Sequence, residues 1–327
     1  MKKITAILTV AALLMLSLAG CGTAAEPSAD ADGAKVYHIG ICQLLEHAAL
    51  DKATQGFQEK LTELLGEGNV EFDLQNAQGE SANCSTIAAG FVASNVDLMM
   101  GNATAALQAC VAASAEIPVV GTSVTDYGTA LEIDDFTGVT GTNVTGASDL
   151  APLDQQAAMI KELVPGVKTV GLLYCSAEPN SVYQIKEIEK NLDELGIAYK
   201  EYSAADSNEI QSVVTNAIAE CNALYIPTDN TIAANTEIVN NICEPAKIPV
   251  IAGETGICSG CGIATLSFDY YDVGVAAAEL AYEILVNGAN PGELEIRTAP
   301  AVTKCYVPAR CELLGITIPE GYSPIEE

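Results

Sequence analysis

The chain has 327 residues, 49% of them apolar and 17% charged, enough apolar material for two lobes of ordinary size and too much for a disordered polymer. Its 14 Lys and Arg stand against 43 Asp and Glu, a formal charge of −29. That sign excludes a basic stripe for nucleic acid and disfavours electrostatic docking on anionic membranes.

Residues 1–20 read as a secretory leader. Lys2 and Lys3 give a charged start, and the apolar run from Ile4 to Leu18 is short for a membrane span. Leu18-Ala19-Gly20-Cys21 resembles a bacterial lipobox, so Cys21 is the expected lipidation site and first residue of the mature chain. The expected location is outside the cell, anchored to its membrane by that lipid. Residues 21–35 are small, polar and acidic, the composition of a flexible tether.

From Val36 onward, strand patterns alternate with helix-period segments. Strands are expected to end at Leu44, Gln78, Ala103 and Val124, with helices over 47–66, 81–95 and 104–115 between them. Gly66 stands where a glycine would close the first helix. After residue 150 the alternation resumes with helix 153–166, strand 169–176, helix 181–196, strand 198–204 and helix 209–221. Strand 223–229, helix 231–246, strands 248–254 and 263–269, and the apolar helix 273–288 follow.

The segments VGLLYC, LYIP and PVIA are apolar on both faces, the mark of parallel strands covered by helices on each side. Two such runs predict an α/β protein with two doubly wound parallel-sheet lobes joined by a hinge. Right-handed crossovers place each lobe's strand-to-helix loops along one sheet edge. The predicted site is the cleft where those edges meet.

In the first half these loops carry Gln43, Glu46, His47, Asn76, Gln78, Asn102, Thr104, Ser123, Thr125 and Asp126. In the second half they carry Ser176, Asn180, Ser181, Thr228, Asp229, Asn230, Glu254 and Asp269, the last ahead of Tyr270 and Tyr271. Any one of these suits a helix cap, which contributes about 1 kcal/mol. Together, helix N-termini aimed at one cleft offer N–H groups and positive dipole ends to a carboxylate. An ammonium would need an acid; Asp229 and Asp269 come first, with Glu254 and Glu46 behind them. Tyr127, Tyr183, Tyr270 and Tyr271 lie near the cleft loops, whereas Tyr225 and His38, inside strands, read as packed residues.

Enzyme signatures are missing: the sequence has no GxSxG elbow, GxxxxGK[ST] loop or GxGxxG turn. Neither catalysis nor a cofactor is expected. Eleven cysteines are many for an exported chain, but most fall within apolar patterns and read as buried free thiols. Cys258-Ser-Gly-Cys261 reads as a structural turn with room for a local disulfide; the alternative is a zinc or thiol site, with His47 as a further candidate.

The blocks IGICQLLEHAALDKATQGFQEKL, QNAQGE, GNATAALQA, TNVTGASDLAP, EPNSVYQ, YIPTDNT and DYYDVG resemble the substrate-binding lipoproteins of one ABC importer family, which includes tryptophan- and tyrosine-binding members. The resemblance implies a type I periplasmic-binding-protein fold with three crossing strands. Its lobes would be residues 36–148 with 269–302, and 149–268 with 303–327. It implies a receptor that closes on a small solute, an amino acid and within that class an aromatic one, and delivers it to an ABC permease and its ATPase. A sensor feeding a signalling partner is the alternative use of the same fold. Thr104 and Ser123 match positions that hold an amino-acid carboxylate in similar receptors, and Gln43, Glu46, Asn180, Ser181, Asp229 and Asp269 match other cleft positions. Ala48 and Ala105 depart from the family by replacing a frequent proline, which restores an N–H at each helix start.

Overall fold

The computed structural model describes residues 35–325, so the expected leader, Cys21 and nearly all of the tether lie outside the described residues. The first sheet contains β1 (Tyr37–Gln43), β2 (Val70–Asn76), β3 (Leu98–Asn102), β4 (Val119–Val124), β5 (Val144–Ser148) and β11 (Arg297–Thr298). They lie in the order β11-β5-β4-β3-β1-β2, and every pair is parallel. Helices α1 (Ala48–Leu65), α2 (Ser81–Ala93), α3 (Thr104–Ala113) and α4 (Tyr127–Leu131) follow β1 to β4 in turn. Both β3 and β4 are buried at every position, as expected of strands covered on each face. Leu50, Ala53, Phe57 and Leu61 repeat at helical spacing and make the buried stripe of α1. Gly66 ends that helix at φ 89, with its N–H on the Thr62 carbonyl.

The second sheet holds β6 (Thr169–Cys175), β7 (Ala198–Ala204), β8 (Ala223–Ile226), β9 (Val250–Ala252), β10 (Ala264–Phe268), β12 (Val302–Tyr306) and β13 (Ser323–Pro324). Their order is β13-β12-β10-β9-β8-β6-β7. Its helices are α5 (Leu153–Leu163), α6 (Pro179–Leu195), α7 (Ile210–Glu220), α8 (Asn230–Ala233), α9 (Thr236–Ala246), α10 (Thr255–Cys261) and α12 (Pro308–Leu314). This sheet is mixed rather than wholly parallel, because β12 runs against β10. β12 enters directly from β11 without a helix between them, so the geometry that makes βαβ units parallel does not apply.

Three crossings connect the sheets: β5 to α5, β10 to α11 (Tyr270–Leu285), and β11 to β12. Although α11 follows a strand of the second sheet, it packs on α1 and on β4 and β5 of the first. The contact is close because glycine sits at the crossing. A Cβ on Gly274 would overlap the Ala53 carbonyl oxygen, and one on Gly56 would overlap that of Tyr271.

Several sequence expectations change at the level of single residues. His38 is not packed: its side chain is exposed, with Nδ1 3.2 Å from Glu71. The helix expected over 231–246 is two helices, broken at Asn235, and the one expected from 273 starts at Tyr270. The ten cysteines in the described residues are free thiols; nine are buried and Cys305 is half-buried. Cys258 and Cys261 lie in a short helix instead of a turn, and they form no disulfide. Among the described residues, no three His, Cys, Asp or Glu side chains are grouped to hold a metal, and no helix is long and apolar enough to cross a membrane.

Candidate ligand-binding cleft

The carboxyl ends of both sheets face one cavity. His47, Leu50, Ser123 and Thr125 line it from the first lobe, and Asn180, Thr228, Asp229, Asn230, Ala233 and Glu254 from the second. Asp149 and Tyr270 line it from the first and second crossings. The space measures about 10 Å³, room for roughly one water-sized sphere.

Three polar atoms in this wall are buried without a hydrogen-bond partner: His47 Nδ1, Ser123 Oγ and Asp149 Oδ1. An unsatisfied buried polar atom costs about 1–3 kcal/mol, so three around one cavity point to an outside partner. Ser123 is also held at φ 54, where the register of β4 shifts against β5. Such strain persists only where surrounding structure imposes it. Next to that strand, α3 begins after Ala103, at φ 84 and with no side-chain cap.

Each acid has a distinct role. Asp149 is 5% exposed, and its Oδ2 accepts a hydrogen bond from the Tyr270 hydroxyl at 2.7 Å. Burial raises its pKa. Glu254, 2% exposed, caps α10 by accepting from the N–H groups of Gly256 and Ile257. Burial pushes its carboxyl up to about 7; the two N–H bonds oppose that shift and the Asp149 charge reinforces it.

Asp229 is differently committed. Its Oδ1 accepts from Ile232 N–H at 2.9 Å, and its Oδ2 from Cys175 N–H at 2.6 Å and the Ser181 hydroxyl at 2.7 Å. Burial, then the charge of Glu178, raises the pKa of this carboxyl. Asp229 and Ser181 therefore serve each other and the α8 start first, although Asp229 also forms part of the cavity wall. Glu178 escaped the sequence reading. It accepts five bonds, from Thr231 N–H and hydroxyl at 2.7 Å each, Asn230 N–H and Nδ2 at 3.1 and 2.7 Å, and Asn180 Nδ2 at 3.1 Å. The signal for it was Pro179, which stands at the first position of α6 and marks Glu178 as its cap position.

Of the residues expected here, Ser123, Asn180, Thr228, Asp229, Asn230 and Glu254 meet in the cavity wall. Gln43, Glu46 and Asn76 line a separate groove of about 400 Å³ beside α1, where Gln43 bonds Asp51 and Thr54. Thr104 is buried at the start of α3, outside that wall. Asp269 is exposed and caps α11 through Tyr271 N–H at 2.9 Å. Tyr271 itself turns to Glu59, and Tyr127 is buried with its hydroxyl on the Ala147 carbonyl. Tyr225 lies in the core as read, bonded to Gln156.

Across the cleft the lobes touch through polar atoms. His47 Nε2 lies 3.2 Å from Asn230 Oδ1, and Thr125 Oγ1 lies 3.3 Å from Thr228 Oγ1. Gln184 Nε2 reaches both threonines, at 3.5 and 2.6 Å. Beyond this contact a wider groove of about 480 Å³ shares Asn180 and Asn230 with the cavity. Its apolar wall comes from Leu44, Leu45, Ala82 and Ala105 on one side and Ala177, Pro179 and Ala205 on the other.

Residues 38–324 match the family described as ABC transporter substrate binding protein. The chain is 32% identical over 304 residues to the tyrosine-binding protein of Clostridioides difficile (strain R20291), covering 91% of this chain and 88% of that one. A solved ABC domain in complex with L-Trp from Streptococcus pneumonia aligns with a TM-score of 0.85 at 32% identity, over 89% of this chain and 100% of that one. A ligand-free, open structure of a substrate binding protein with adhesive properties from Clostridium difficile aligns with a TM-score of 0.69 at 31% identity, over 89% and 99%. At nearly equal identity, the present arrangement is closer to the L-Trp complex than to the open form.

Proposed function

From the premise that the chain belongs to the ABC transporter substrate-binding protein family, whose members bind solutes and are not enzymes, we propose that it captures an aromatic L-amino acid outside the cell for an importing permease and its ATPase. The observation that carries this reading is the convergence of His47 Nδ1, Ser123 Oγ and Asp149 Oδ1, all buried and unpartnered, on one cavity between the lobes. In this reading the ligand ammonium takes Asp149 Oδ1, a buried oxygen without a hydrogen-bond partner that stands beside the Thr125 hydroxyl. Its carboxylate takes the Ser123 hydroxyl, and Thr104, at the uncapped start of α3 and outside the present cavity wall, would join it once the cleft widens to admit the ligand. The side chain extends past Asn180 and Asn230 into the wider groove of mixed polar and apolar lining, whose volume suits a ring better than a methyl group. Relatives described as tyrosine-binding and as an L-Trp complex support the aromatic class.

A cavity of about 10 Å³ admits no amino acid unless the lobes part. The moving bodies in this proposal are residues 36–148 with 269–302 and 149–268 with 303–327, turning about the three crossings. The cross-lobe contacts at His47–Asn230 and Thr125–Thr228 break on opening, and ligand contacts to both lobes favour closure. Lipidation at Cys21 would hold the receptor at the membrane, and loss of the lipid in Cys21→Ala would free it into the medium.

A thermal-shift screen of the twenty common amino acids tests the proposal. Tyrosine, tryptophan or phenylalanine should raise the melting temperature in a concentration-dependent way. A shift from another solute class, with none from any amino acid, would contradict it.

A further inference from the structure

The Cys258-Ser-Gly-Cys261 motif has a role that its buried thiols do not explain. It forms the end of α10, a helix of seven residues whose start carries Glu254 into the cavity wall. A helix this short does not hold its own direction, so its two ends must be tied down. Glu254 ties the first end through Gly256 and Ile257.

Arg310, on α12, ties the other end. Its side chain is only 15% exposed. Nη1 donates to the carbonyls of Cys258 at 3.0 Å and Gly262 at 3.1 Å, and Nη2 donates to those of Ser259 at 2.7 Å and Gly260 at 2.9 Å. Nε donates to Asn240 Oδ1 on α9 at 3.1 Å. All five donors of the guanidinium are thereby used: two take the helix-end carbonyls of Ser259 and Gly260, one the carbonyl of the cap residue Gly262, and one shares the Cys258 carbonyl with the Gly262 N–H. The positive charge also sits at the negative end of the helix dipole. Gly260 lets this end approach α9, since a Cβ there would overlap the Thr236 side chain.

We infer that Arg310 is a positioning residue for ligand recognition: by gripping the carbonyl end of α10 it fixes where Glu254 stands in the cavity wall, without touching the ligand. The inference rests on the reading of the cavity as the ligand site. Lysine is no substitute, because a point charge with three donors cannot match a planar fork on four carbonyls. Arg310 also lies just past the third crossing, so it joins the wall of the cavity to the segment that leaves the hinge.

The test compares Arg310→Lys, Glu254→Gln and the double variant, with two measurements on each. The first is the titration of the Glu254 carboxyl in ligand-free protein, followed by carbon NMR in the parent and Arg310→Lys. The groups facing it are Asp149 and Tyr270 at the crossings, Lys52 on α1, and Cys258 and Cys261 on α10 itself. The second is calorimetric affinity for L-tryptophan and L-tyrosine. In Arg310→Lys the Glu254 titration should move upward as the Gly256 and Ile257 bonds loosen. Affinity should fall roughly 2- to 30-fold, the range for substitutions that act on a site without contacting its ligand. In the Glu254→Gln background the same change should alter affinity by less than about twofold.

An unmoved titration with unchanged affinity would overturn the inference, as would an equal loss in both backgrounds. If Arg310→Lys does not fold, Asn240→Ala removes one anchor of the guanidinium and should give a smaller shift in the same direction; no shift would overturn it. A parent protein that binds neither amino acid, with a titration that still moves, would refute the ligand reading and support the positioning of Glu254.

Discussion

At the scale of single residues, the cleft separates acids that serve the fold from acids that remain available. Asp229 has three protein donors on its carboxylate, whereas Asp149 Oδ1 has none. Sequence alone could not make that distinction: an Asp before a helix looks the same whether or not its oxygens are used. Asp149 was hidden further because it follows the short strand β5 at a crossing, a place where no strand-to-helix loop was expected. Asp149→Asn should weaken amino-acid binding by about 2–5 kcal/mol, the usual cost of removing one partner of a buried charge pair. Asp229→Asn should chiefly lower the melting temperature, since it disturbs the bonds to Cys175 and Ile232. The pH dependence follows from the same wall. Burial raises Glu254 from 4.5 to about 7, so its neutral form is favoured by the fold. That contribution to stability is complete below pH 4.5 and is lost as pH rises through about 7. The melting temperature of ligand-free protein should therefore decline across this window, and Glu254→Gln should flatten the decline. An equal slope in the variant would contradict the assignment.

At the scale of elements, the alternation of strands and helices was legible because β6, β8 and β9 are apolar on both faces and Gly66 and Gly196 close their helices. What escaped is short or depends on tertiary contacts. β11 and β13 have two residues each, and α10 has seven, too few to show a period. The antiparallel placement of β12 depends on a crossing that composition does not mark. The crossing of α1 and α11 is another such feature, since Gly56 and Gly274 are isolated glycines within helical patterns and only their mutual approach explains them. Gly274→Ala should destabilise the protein by about 1–3 kcal/mol through overpacking. Chemical denaturation measures this directly, and an unchanged midpoint would mean that the helices separate freely.

At the scale of the whole molecule, two sheets joined by three crossings form a cleft whose walls meet through polar contacts at His47–Asn230 and Thr125–Thr228 and through packing of α4 on α6 and of α1 on α10. These contacts latch the closed form, and a ligand bonded to both lobes would add to them. Asn230→Ala should therefore shift ligand-free protein toward the open form, giving a larger radius of gyration by X-ray scattering that contracts when L-tryptophan is added. No difference from the parent would remove His47–Asn230 from the latch. A cleft that grips the zwitterion of an aromatic amino acid through Asp149 should show one site per chain in calorimetric titration of the parent with L-tyrosine or L-tryptophan, and Asp149→Asn should lose most of that affinity; equal affinities in the two proteins would rule out that grip.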